Sequence, residues 1–211
     1  MFNQLRQAIV QLQLRPGNLL SEADVAKQIG TSRQPVREAF IKLADIGLVK
    51  IKPQRGTFVT LISTTDVEKA RFIREAIEVA IVRKVAMNVT DQDITDLEKL
   101  IEQQKKINVS KDYPKFLQLG EAFHVRISRI ADFSGAWRVL ENSKSQIDRV
   151  RYLNLPTKAG ADMTISQHQG IVDALATHSP DVAEKAMATH LSTNINSLAS
   201  IAASHPDLFG D

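Results

Sequence analysis

Apolar residues recur along most of this chain at helical spacing, with one break in the rhythm near residue 50. Phe2, Leu5, Ile9 and Leu12 predict a first helix that ends before Pro16-Gly17. Ser21, with Asp24 three residues on, opens a second helix in the manner of a capping box, and Gly30 closes it. A third begins at Ser32, its expected N-cap. Pro35 is tolerated there because the first helical turn has no intrahelical donor to lose. Val36, Phe40 and Leu43 give that helix one core face. Residues 48–51 and 57–61 are then β-branched runs joined by Pro53-Gln54-Arg55-Gly56, which predicts a hairpin.

Beyond Ile62-Ser63-Thr64-Thr65, the expected domain junction, the pattern is helical to the end. One helix starts at Thr65-x-x-Glu68 and carries Ile73, Ile77, Ile81 and Val85 on a face. A second covers residues 91–108, and a third begins near Pro114 with Phe116, Leu119, Phe123 and Ile127. A fourth holds Trp137, Leu140, Ile147 and Val150, a fifth spans residues 161–177, and a sixth runs from Ser179-Pro180 to about Ser200. The expected fold is mainly α. Residues 1–62 form a winged helix-turn-helix, and residues 63–211 form an antiparallel all-α bundle.

Charge sharpens this division. Residues 1–62 hold nine lysines and arginines against four acids, a net of +5, while the remainder holds 18 against 20, a net of −2. A basic head on a slightly acidic body is the asymmetry expected where one part meets phosphates. Arg33, Gln34 and Arg37 leave the non-core face of the third helix in its first turn, where a recognition helix reads bases; Lys50, Lys52 and Arg55 ride on the hairpin, the wing. No cysteine is present, so thiolate metal sites and disulfides are excluded. The sequence shows no membrane span and no secretory leader, so a cytoplasmic protein that needs no membrane is expected.

His124, His168 and His190 fall on three different bundle helices. His168 is in phase with Ile165, Ile171, Val172 and Leu175, and His190 shares a face with Ala183, Met187 and Asn194. Two readings stand: three separate core histidines, or a convergent site for a divalent metal, with Zn²⁺ or Ni²⁺ favoured by imidazole ligands. His178 and His205 lie at helix ends and read as surface residues.

Arg15-Pro16-Gly17-Asn18-Leu19-Leu20-Ser21-Glu22, Ser32-Arg33-Gln34-Pro35-Val36-Arg37-Glu38-Ala39, Gly47-Leu48-Val49 and Arg55-Gly56-Thr57-Phe58-Val59 resemble the winged helix of the GntR family. Phe123-His124, His168 and His190-Leu191 resemble the FCD effector domain of its FadR-type branch. The resemblance implies a homodimeric transcriptional regulator on a palindromic operator, its DNA affinity set by a small carboxylate effector in the bundle. It implies that Arg33 and Arg37 meet bases or phosphates in the major groove, and that Gly56 approaches the minor groove beside Arg55. It also implies effector contacts from Arg74, with Arg149 a further candidate. The chain departs from the family at two places. Ala23 stands where many relatives carry a DNA-contacting arginine. Gly120 stands where metal-binding relatives carry an acidic ligand, one turn before the first histidine. Glu121 points about 100° round the helix from that position and is a poor substitute.

Two rivals follow from the same residues. A metalloenzyme built on the three histidines would need an acid beside them, and none is expected there. Alternatively, the bundle dimerises and senses nothing.

Overall fold

The computed structural model describes residues 1–153, 157–193 and 198–210, which fall into two compact units. The first comprises Met1–Ala70, Asn142–Asn154 and Leu198–Asp211; the second comprises Arg71–Glu141 and Leu155–Ser197.

The first unit begins with α1 (Phe2–Val10), β1 (Leu19–Leu20), α2 (Glu22–Ile29) and α3 (Arg33–Asp45). Ser21 caps α2, its Oγ accepting from the Asp24 amide at 3.3 Å, and Gly30 ends it at φ +74, a left-handed turn natural to glycine. Ser32 occupies the N-cap of α3 as expected, but its hydroxyl accepts no capping bond. The hairpin is β2 (Val49–Lys52) and β3 (Gly56–Val59), paired antiparallel with Lys52 opposite Gly56. Pro53 followed by Gln54 at φ +57 is the signature of a type II turn. β1 adds a third strand, pairing Leu19 with Phe58 on the other edge of β3, which the hydrophobic pattern did not signal. Leu5, Ile9, Val36, Phe40, Leu43, Leu48, Val49 and Val59 form the core of this unit.

Two segments from beyond residue 62 complete it. The expected single helix around Trp137 to Val150 breaks at Lys144 into α7 (Ser134–Ser143) and α8 (Ser145–Leu153). Serines on both sides of Lys144 are weak helix formers, and the Lys144 side chain turns to Asp148 at 2.6 Å. α8 packs beside α1, where Arg6 donates to Ser145 Oγ at 3.1 Å. α11 (Leu198–Ser204) lies in the same unit, and the following Leu208–Gly210 stretch pairs with Ile62.

The second unit is the helical bundle, built from most of α4 (Thr64–Ala86), α5 (Asp91–Lys105), α6 (Tyr113–Ile130), α7, α9 (Lys158–Ala176) and α10 (Pro180–Thr193). α4 starts one residue before the expected Thr65, with Ser63 Oγ accepting from the Asp66 amide at 3.1 Å. α5 opens on a complete capping box of Thr90 and Asp93. The sixth expected helix is described to Thr193; Asn194 lies outside the described residues. Ile81, Val82, Val85, Leu97, Ile101, Phe123, Ile127, Ile171, Leu175 and Met187 form the bundle core.

One face differs from expectation. Ile73 is exposed, and the buried stripe of α4 runs instead through Arg74, Glu78, Ile81, Val82 and Val85. The stripe is displaced because two charged residues take the inward positions in the middle of the helix.

Candidate nucleic-acid interface and buried histidine centre

In the first unit, Val36, Ala39, Phe40 and Leu43 anchor α3 and leave Arg33, Gln34 and Arg37 in solvent. Their side chains are held nonetheless. Glu22, the first residue of α2, reaches both arginines: Oε2 accepts from Arg33 Nη2 at 3.3 Å, and Oε1 lies 3.7 Å from Arg37 Nε. Gln34 donates to Glu38 at 3.0 Å. On the wing, Lys52 Nζ sits 5.0 Å above the Phe58 ring, a cation–π contact beside the turn of the hairpin. Arg55 is exposed at the tip, and Gly56 holds φ +98, a conformation for which side chains are poorly suited. The six predicted DNA-facing residues thus lie on two elements of one unit.

The second unit brings its three histidines together. His124 from α6, His168 from α9 and His190 from α10 are 5 %, 1 % and 2 % exposed, and one nitrogen from each lies within 4.8 Å of the others. His190 Nε2 and His124 Nε2 are 3.2 Å apart. Their outer faces meet acceptors. His168 Nδ1 is 3.0 Å from Gln104 Oε1, and Gln104 Nε2 in turn donates to the Phe116 carbonyl at 3.2 Å. His190 Nδ1 is 3.0 Å from Gln167 Oε1. His124 Nδ1 is 2.6 Å from Glu78 Oε2, in contact range but without the alignment of a hydrogen bond. An amide oxygen only accepts, so His168 and His190 each carry the proton on Nδ1, outward, and present the Nε2 lone pair inward.

That arrangement fits a divalent ion. Two nitrogens bound to a tetrahedral ion at about 2.0–2.1 Å stand about 3.3 Å apart, close to the 3.2 Å between His124 and His190. Oriented outer partners of this kind normally fix the tautomer of metal-binding imidazoles. Phe123 stacks on His168 at 4.4 Å and Trp137 on His124 at 6.3 Å, closing the site with apolar rings.

The centre also holds an ion pair. Arg74 Nε donates to Glu78 Oε1 at 2.5 Å, and Arg74 Nη2 lies 3.3 Å from His124 Nε2. Burial alone raises the Glu78 carboxyl, but the adjacent Arg74 charge, with the His124 ring, outweighs it and holds the group at about 2. Burial pushes the His124 imidazole below its usual range; Glu78 opposes this, and Arg74 reinforces it. We read Glu78 as ionised and His124 as neutral, because Arg74 alone suffices to compensate the carboxylate.

Of the predicted effector contacts, Arg74 therefore stands at the histidines. Arg149 does not: it belongs to the first unit, fully buried, where it donates to the Thr60 carbonyl at 2.6 Å and to Gln146 at 3.0 Å. Burial lowers its pKa to about 10. His178 is exposed as expected, and His205 is half-buried.

Glu78, Gln104 and Gln167 were not anticipated, and Glu78 corrects the expectation that no acid flanks the histidines. Gly120 is explained by Gln104. A Cβ at residue 120 would stand 3.1 Å from Gln104 Nε2 and 3.5 Å from His168 Cε1, so the missing side chain makes room for the amide that orients His168.

Comparison with known proteins decides the kinship. The family profile described as "Bacterial regulatory proteins, gntR family" matches residues 1–59, and the "FCD domain" profile matches residues 70–193. The chain belongs to the GntR family. It is 40% identical to the HTH-type transcriptional repressor RspR of Escherichia coli (strain K12), over 98% of this chain and 91% of that protein. It is 30% identical to the probable D-xylose utilization operon transcriptional repressor of Paenarthrobacter nicotinovorans, over 90% and 84% respectively. The solved structure of E. coli McbR/YncC shares the fold, with a TM-score of 0.80 at 19% identity over 97% of this chain and 96% of that one. This GntR-family chain is thus a winged helix-turn-helix joined to an FCD domain in a line of DNA-binding transcriptional regulators. No helix among its described residues is long and apolar enough to cross a membrane.

Proposed function

We propose that this chain is a ligand-responsive regulator that binds a palindromic operator as a homodimer and whose DNA affinity is set at the buried histidine centre. Arg33, Gln34 and Arg37 enter the major groove, while Lys52, Arg55 and Gly56 bring the wing to the flanking backbone and minor groove. His124, His168 and His190 hold a divalent ion, Zn²⁺ or Ni²⁺. When bound, that ion supplies a Lewis-acidic positive charge that attracts a carboxylate.

The observation that carries this reading is a fully buried cluster of three histidines, two of them oriented from outside by glutamines, inside an aliphatic bundle. Glu78 and Arg74 cancel each other's charge, so a divalent ion among three neutral imidazoles leaves two positive charges out of water. Such a site favours an anion. Gly120 offers no carboxylate, and a carboxylate effector meets that need, with Arg74 Nη2 already turned toward the histidines. A metalloenzyme is disfavoured by Glu78 itself: a carboxylate at about 2, committed to Arg74, is too weak a base for catalysis near neutral pH.

The test is a thermal-shift and fluorescence-anisotropy series on the full chain with Zn²⁺, Ni²⁺ and a panel of small mono- and dicarboxylates. Carboxylates are expected to raise Tm only in the metal-loaded protein and to change affinity for a selected operator duplex about fivefold or more. Absence of bound divalent metal at neutral pH rejects the metal reading. A metal-loaded protein indifferent to every carboxylate rejects the sensing role and leaves a bundle that only dimerises.

A further inference from the structure

We infer that Glu22 is a positioning residue for DNA reading, holding Arg33 and Arg37 as one preformed unit and suppressing binding to arbitrary DNA. This rests on the reading above that the two arginines meet the duplex.

Arg33 and Arg37 stand four residues apart on α3, so their side chains leave the same helix face as neighbours. Both are about two-thirds exposed, at 69% and 66%, whereas the Glu22 side chain is only 27% exposed. Two like charges at this spacing repel and, left alone, sample many rotamers. Glu22 changes that from a different helix. Each of its carboxylate oxygens faces one guanidinium, at 3.3 and 3.7 Å. Its own backbone is fixed beside the capped start of α2, where Ser21 holds the Asp24 amide and helix dipole favours an acid. One carboxylate therefore braces two cations without neutralising both. The N–H groups turned away from Glu22 remain for a guanine edge, whose O6 and N7 require a planar donor pair in a set orientation.

Exposed ion pairs at these distances add little to stability. Their consequence is for recognition. Ordering a long side chain at an interface costs about 2- to 10-fold in affinity, and Glu22 meets that cost for two arginines before DNA arrives. The same negative charge stands next to the phosphates and weakens contacts that carry no sequence information. Glu22 therefore lowers affinity for arbitrary DNA while raising discrimination. A residue that served folding alone would move both affinities the same way.

The experiment compares full-length parent, Glu22→Gln, Glu22→Asp and an Arg33→Ala/Arg37→Ala double variant. The probes are a duplex selected by the parent from a random pool and a random-sequence duplex of equal length, with anisotropy measured at several salt concentrations. Glu22→Gln keeps the shape and loses the charge: its affinity for random DNA is expected to rise about threefold with a steeper salt dependence, while the selected-to-random ratio falls about tenfold. Glu22→Asp keeps the charge and shortens the reach, so the ratio is expected to fall with random-DNA affinity near that of the parent. A Glu22→Gln ratio within twofold of the parent, while the double alanine variant loses the selected duplex, overturns the positioning role alone. A double variant that binds the selected duplex as well as the parent overturns the underlying assignment of DNA contacts.

Discussion

Replacing Glu78 with glutamine tests the energetics of the histidine centre directly. The substitution preserves shape but removes the charge facing Arg74, which is 7 % exposed, and leaves that guanidinium buried without its carboxylate. Breaking a buried ion pair from one side costs about 3–5 kcal/mol. The carboxyl's own titration gives a similar figure. It sits at about 2 instead of 4.5, and at about 1.4 kcal/mol per tenfold change in proton affinity its ionisation carries about 3 kcal/mol.

The assay is urea unfolding of metal-free protein followed by fluorescence of Trp137, the sole tryptophan, buried and stacked near His124 within the bundle unit. Chelation matters because an ion bound only by the folded state would add stability by mass action. Glu78→Gln is expected to be about 3 kcal/mol less stable at pH 7. The sign of the pH dependence follows from a depressed carboxyl. Its contribution is fully present above 4.5, shrinks as pH falls through the acid range, and is gone near 2. The gap between parent and variant is therefore constant from pH 8 to about 5.5 and narrows below. His124 adds a separate acid penalty, because its folded-state pKa is lowered and its unfolded form takes up a proton below 6.5. Without the Glu78 charge that opposes the lowering, the variant bears that penalty at least as heavily as the parent. Pairing Glu78→Met with Arg74→Met should recover most of the loss, since two apolar side chains leave no buried charge. A single variant within 0.5 kcal/mol of the parent at pH 7 refutes the buried ion pair as described.

Gln104→Leu removes the acceptor for His168 Nδ1 and is expected to weaken Zn²⁺ binding 10- to 100-fold in competition with a chromophoric chelator; unchanged affinity would dismiss the amide's orienting role. Gly56→Ala forces a side chain onto φ +98 with its Cβ 2.6 Å from Leu19 Cδ1, at about 1–3 kcal/mol, seen as faster hydrogen exchange of the β3 amides if the wing strains as expected. Thr90→Ala deletes the capping box at α5 and should lower bundle stability by about 1 kcal/mol in the Trp137 assay.

What could be read from the chain divides along a physical line. The start of α2 at Ser21, its end at Gly30, the core face Val36, Phe40 and Leu43, and the wing are local events, each complete within one or two turns of chain. The pairing of Leu19 with Phe58 was hidden because a two-residue strand has no periodicity to detect. The misplaced face of α4 has a more instructive cause. Hydrophobic periodicity assumes that charged residues point outward, and Arg74 and Glu78 do the reverse. An apolar stripe interrupted by a charge then looks like a stripe one position over, at Ile73 and Ile77. Gln104 could have been found by the opposite test. It falls in phase with Leu97 and Ile101 on α5, as His168 does with Ile171 and Leu175 on α9, and both are buried. A polar side chain costs too much to bury without a partner, so two such residues on two helices imply that the partner is each other. The 3.0 Å contact between them is that partnership. Three histidines alone could be three unrelated core residues. The glutamines behind His168 and His190 turn those imidazoles to face inward, and that orientation, more than the histidines' spacing along the chain, is what suits the cluster to hold a metal ion.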